Sequence, residues 1–161
     1  TESDSYSYVS LAVGGSRTIA NNVTLDLFST AYLQINGNGS LTINGAVTLN
    51  SNVTFAPERF PLYLNGNVGG VGRLAVNGNN AVVLSGTNSY SGGTVAEQGA
   101  IIFGTAASIP ALSSLTADYY GYIGAGFIHC GSDTPKLASA WLEEWVYGWD
   151  SRGPGGFAVV R

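Results

Sequence analysis

The sequence predicts an all-β fold: a β-solenoid of stacked parallel coils closed by a short C-terminal α-helical and aromatic cap. Three observations carry this expectation. The composition favours strands and tight turns. Short segments alternate polar and apolar residues, and those segments recur in a fixed order.

With 161 residues the chain fits one domain, or one domain with a small appendage, and can bury a core without staples. Charged residues make up only 10%, and Gly supplies 23 positions, about twice its ordinary share. Low charge with 45% hydrophobic residues is the opposite of the disordered signature. Six Lys and Arg are spread thinly in a chain of net charge −4, so nothing gathers phosphates and nucleic acid is not expected as a partner. No apolar run is long enough for a membrane span. The single Cys130 excludes an internal disulfide framework. The chain starts at Thr1 and contains no Met, which leads us to expect a removed export signal and a secreted or cell-surface protein; trimming or proteolysis is the alternative.

Residues 1–19 read as an N-terminal leader or an added edge segment, and residues 20–128 as the solenoid repeats. Thr24–Phe28, Tyr32–Ile35, Ser40–Ile43, Val47–Leu49, Val53–Phe55, Leu62–Leu64, Arg73–Val76 and Val82–Leu84 alternate with period two. Asn36-Gly37, Asn44-Gly45, Asn65-Gly66 and Asn77-Gly78 stand between them, where both residue types tolerate sharp turns. Alone, these pairs suit hairpins. The repeat argues otherwise. Leu33–Asn38 resembles Leu62–Asn67, Ser40–Gly45 resembles Arg73–Gly78, and Ala46–Leu49 resembles Ala81–Leu84, in the same order. Ordered recurrence with drifting spacing points to coils with loop insertions, an antiparallel sandwich or barrel being the alternative. The inward positions are then Leu33, Ile35, Leu41, Ile43, Leu62, Leu64, Leu74, Val76, Val82 and Leu84.

Val82 to Phe103 contains Leu84-Ser85-Gly86, Asn88, Tyr90, Gly92-Gly93-Thr94 and Gly99 in order. This stretch resembles the autotransporter-associated β-strand repeat, departing from it at Ala96-Glu97-Gln98, where a small polar run is usual. A weaker resemblance extends over 33–127. It implies a right-handed parallel β-helix from the passenger region of a large secreted or surface protein, and it implies no activity. The membrane barrel of a whole autotransporter is not in the sequence, which fits a fragment or a secreted relative.

Residues 129–161 differ in texture and read as a helix, loop and strand forming a cap or interface. Asp133-Thr134-Pro135 marks a helix start, and Leu137, Trp141 and Trp145 then share one face up to Gly148. Residues 151–156 read as a loop and Phe157–Val160 as a last strand. Trp141, Trp145, Tyr147, Trp149 and Phe157 are the candidate interface residues, in an aromatic cluster that begins at Tyr119, Tyr120 and Tyr122. Such a cluster suits a cap core, a protein interface or a carbohydrate-stacking platform.

No catalytic residue, cofactor or metal is expected. His129 and Cys130 are adjacent, and strand neighbours point to opposite faces, so they do not make a nucleophile and base. One Cys and one His cannot complete a zinc site. Asp26, Glu58, Glu97 and Asp118 fall in different coils, whereas a glycosidase needs acids gathered on one face. Asn22, Asn38 and Asn52 head glycosylation triplets in form, which chance also supplies in an Asn- and Thr-rich chain. The first functional expectation is therefore an extracellular structural protein that self-associates end to end into filaments. An adhesin or module gripping cell-surface glycans is the second, and a polysaccharide-degrading enzyme the third.

Overall fold

The structure, a computed structural model, describes residues 7–27, 31–111 and 113–125. They form a parallel β-solenoid of about five turns. The first coil contains β1 (Ser7–Val13), β2 (Arg17–Ile19) and β3 (Val23–Leu25). The second contains β4 (Ala31–Gly37), β5 (Leu41–Ile43) and β6 (Val47–Leu49). The third contains β7 (Val53–Pro57), β8 (Leu62–Leu64) and β9 (Val68–Gly70). In the fourth, one long strand, β10 (Leu74–Leu84), bends through two walls: Leu74–Val76 pairs with β7 and Val82–Leu84 with β8. β11 (Thr94–Phe103) and β12 (Leu115–Ala125) continue the same two walls. Because of these bent strands, the first two walls join into one nine-stranded sheet, while β3, β6 and β9 form the third wall.

Every strand pair is parallel, so the Asn-Gly pairs turn the chain between walls instead of closing hairpins. β1 and β2 lie within the stretch expected to be a leader or edge segment, and they build the first coil. The expected helix from Lys136 to Tyr147 and the strand at Phe157–Val160 lie outside the described residues.

The repeat read from the sequence was offset by one strand. Leu62–Leu64 lies beside Leu41–Ile43, not beside Leu33–Ile35, and Leu74–Val76 lies beside Val53–Phe55. Bonds between equivalent positions of adjacent coils span 24, then 21, then 20 residues. Local likeness misled because all three strand types share one pattern: two inward apolar residues around an outward polar one.

The alternation itself places the core. Leu41, Leu62, Val82, Ile101 and Ile123 stack in one column, and Ile43, Leu64, Leu84 and Phe103 in the next. All are buried. Each contributes on the order of 1.5–3 kcal/mol of apolar burial. Of the ten expected inward residues, only Leu33 is half-buried, packed against the core from nearer the open end.

Side-chain amides complete the corners. Asn22 Oδ1 accepts the Ala46 N–H at 2.9 Å, Asn52 Oδ1 accepts Arg73 at 3.0 Å, and Asn67 Oδ1 accepts Thr87 at 2.8 Å. Backbone donors that the strand ladder cannot reach are thus satisfied by the next coil. Gly66 is required for a different reason: a Cβ there would run into the backbone of Gly45 in the coil beneath.

Candidate functional surface

The outer side of the first wall, reaching its corner with the second, carries a continuous polar network. Its residues come from successive coils and meet because the coil period brings them into line. Gln34 Nε2 donates to Glu58 Oε1 at 3.5 Å. Asn79 Nδ2 donates to Glu58 Oε2 at 2.7 Å, and Gln98 Nε2 donates to Asn79 Oδ1 at 3.0 Å. One carboxylate and three amides therefore form a continuous ladder across four coils. Beside it, Arg73 pairs with Glu97 at 3.4 Å, and Asn77 Nδ2 donates to the same carboxylate at 3.1 Å.

Aromatic side chains flank this ladder. Tyr8 and Tyr32, partners in register, bring their rings to 5.4 Å at an angle of 30°. At the other end, Tyr120 stands beside Gln98 in the register and is 74% exposed. Gly78, Asn79, Gln98, Gly99 and Tyr120 enclose a shallow groove.

The four acids considered in the sequence are distributed along the axis. Glu58 and Glu97 are engaged by the amide and guanidinium partners just named, and Asp118 is exposed on β12. Among the described residues no three His, Cys, Asp or Glu side chains gather as a metal site. Among the same residues no helix is long and apolar enough to cross a membrane. No protein-family profile, curated protein or solved structure matches the chain. His129, Cys130, Trp141, Trp145, Tyr147, Trp149 and Phe157 lie outside the described residues.

The second notable surface is the open N-terminal end. β1, β2 and β3 each pair on one side only among the described residues. Val9 and Leu11 hold the register positions of Leu33 and Ile35, yet are 47% and 39% exposed. Among the described residues, no further strand stacks on β1 beyond them.

Sequence reasoning did not find the Gln34–Glu58–Asn79–Gln98 ladder. Its signal is the spacing of 24, 21 and 19 residues between consecutive members, the coil period itself. That spacing has meaning only once the strand register is known.

Proposed function

We propose that this chain is a secreted, extracellular structural protein, a non-catalytic solenoid whose copies associate end to end. The observation that carries the reading is the open first coil. Among the described residues Val9 and Leu11 stand exposed at the end of their columns, and β1, β2 and β3 each pair on one side only, a template for another strand. The occupant we assign is the C-terminal segment of a second copy, with Trp141, Trp145, Tyr147, Trp149 and Phe157 supplying the apolar surface. A head-to-tail contact of this kind does not close on itself and produces a filament. A net charge of only −4 opposes it weakly. The resemblance to the autotransporter-associated repeat supports the extracellular setting and the scaffold role.

The test is sedimentation and electron microscopy of the full chain over a range of concentrations, beside a chain lacking residues 133–161. The full chain is expected to form concentration-dependent linear assemblies. The shortened chain should remain monomeric with β-rich circular dichroism. A full chain that stays monomeric at high concentration, or a shortened chain that assembles equally well, overturns the proposal.

A further inference from the structure

We propose that the groove bounded by Asn79, Gln98 and Tyr120 is a binding site for a neutral oligosaccharide, with the Tyr120 ring as stacking platform and the two amides as hydroxyl partners. The inference stands on the groove's own side chains and draws nothing from end-to-end association.

Two glycines, Gly78 and Gly99, line the groove beside these side chains. Gly99 has φ +83°, and a Cβ there would come within 2.5 Å of the Gly78 carbonyl oxygen. A Cβ on Gly78 would likewise meet the Pro57 backbone at 2.7 Å, so both glycines let the coils approach closely here, and beside them lies a shallow, solvent-open depression of about 410 Å³. Among the described residues three side chains rise around it, Asn79, Gln98 and Tyr120, and all three are exposed.

Their chemistry selects the ligand class. Each primary amide carries both donors and an acceptor, the complement of a hydroxyl that is itself donor and acceptor. The ladder uses Asn79 Oδ1, one hydrogen of Asn79 Nδ2 and one of Gln98 Nε2, so further amide valences remain for a ligand. It also fixes the amides in place before anything binds, which lowers the ordering cost of binding. Tyr120 offers a flat apolar ring with a polar tip, suited to the faces of a sugar ring edged with hydroxyls. Among the described residues no Lys or Arg lines the groove, and the carboxylate behind Asn79 belongs to Glu58. An anionic ligand would find no counter-charge there. A protein partner would find no apolar pocket for an anchoring side chain.

The experiment titrates the full chain, at millimolar ligand, with cellohexaose, mannohexaose and N-acetylchitohexaose, and with hexagalacturonate as an anionic comparison. Side-chain amide and tyrosine-ring NMR signals report the site. At least one neutral hexasaccharide is expected to shift the Asn79 and Gln98 amides together with the Tyr120 ring. Tyr120→Ala should weaken that binding roughly tenfold, the worth of one aromatic contact. Tyr120→Phe, which keeps the ring, should stay within about threefold of the parent. Gln98→Ala supplies a second reading if Tyr120→Ala loses its β-rich circular dichroism. Val71→Ala, at an exposed turn away from the groove, should bind as the parent does. The proposal is overturned if no neutral hexasaccharide shifts these signals, if only hexagalacturonate does, or if Tyr120→Ala and Gln98→Ala bind unchanged.

Discussion

Tyr90 Oη lies 2.7 Å from Thr94 Oγ1, with both residues buried where the fourth coil passes into β11. The third wall is an extended segment there, not a strand: the Ser89 N–H reaches Val68 O at 2.8 Å, and that of Ser91 reaches Gly70 O at 3.1 Å. The Tyr90 ring fills the interior behind this segment, and its hydroxyl meets that of Thr94 at the start of β11. Asn88, two positions earlier, binds the coils on either side. Asn88, Tyr90 and Thr94 therefore do structural work in this chain: where a strand is lacking they supply a side-chain plug and two cross-links between coils.

Tyr90→Phe keeps the plug and leaves the Thr94 hydroxyl buried without this partner. Stability should fall by about 1–3 kcal/mol, read as a lower urea midpoint with an unchanged slope. The same variant tests a pH effect. Burial pushes the Tyr90 phenol up, opposed in part by the Thr94 hydrogen bond. Below about pH 10 the phenol is protonated folded and unfolded alike. Above that, the unfolded chain releases the proton while the folded chain holds it, so stability declines as pH rises. Urea melts between pH 9 and about 11 should show a steeper decline in the parent than in Tyr90→Phe. Equal slopes would remove Tyr90 as the cause.

Asn88→Ala removes two bonds between coils. Its Oδ1 accepts the Val68 N–H at 2.8 Å, and its Nδ2 donates to Ser108 O at 2.6 Å, in a buried setting. Both backbone partners would be left unpaired, for a loss of about 2–4 kcal/mol. Asn65→Ala is the comparison, because the Asn65–Asn44 bond of 3.0 Å is exposed; it should cost about 0.5–1.5 kcal/mol at most. Chemical denaturation of the two variants side by side should separate them clearly.

Gly66→Ala and Gly14→Ala test the coil spacing. A Cβ on Gly66 meets the Gly45 backbone, which cannot move without parting the coils, whereas a Cβ on Gly14 meets nothing within 4 Å. Gly66→Ala is expected to cost about 4 kcal/mol or more, or to abolish folding. Gly14→Ala should stay within about 0.5 kcal/mol of the parent or stabilise the chain slightly. Thermal melts by circular dichroism suffice to distinguish them.

How far this architecture is legible in the sequence depends on which physical signal carries it. Ile35, Leu41 and Ile43 were placed inward by alternation alone, because a buried wall enforces period two residue by residue. Handing Leu62–Leu64 to the wrong neighbour was an error of a different kind: the register depends on how many residues each corner consumes, and the corners vary. The Glu58–Asn79–Gln98 ladder is illegible for the same reason, since no local feature distinguishes its members from other surface polar residues. Asn88 and Tyr90 stood out as a motif, but the reason for them emerged only when the third wall proved to lack a strand in that coil.

Arg17 is the last residue whose role follows from position. It stands in register with Leu41, at the outer end of the column that runs through Leu62, Val82 and Ile101. An apolar residue there would extend the column to the open face. Instead the guanidinium is exposed, donating to its neighbour Ser16 O at 3.1 Å. A charge on an edge strand blunts pairing with another chain, because docking would strip its water. If copies stack on this end, Arg17 limits how readily they do so. Arg17→Leu should leave the monomer's urea midpoint nearly unchanged, since the site is exposed. It should lower the concentration at which assembly begins by about tenfold, equivalent to about 1.4 kcal/mol of added contact. Arg17→Lys should behave as the parent. Light scattering against concentration checks both variants, and an unchanged threshold in Arg17→Leu would mean that the N-terminal end is not the stacking face.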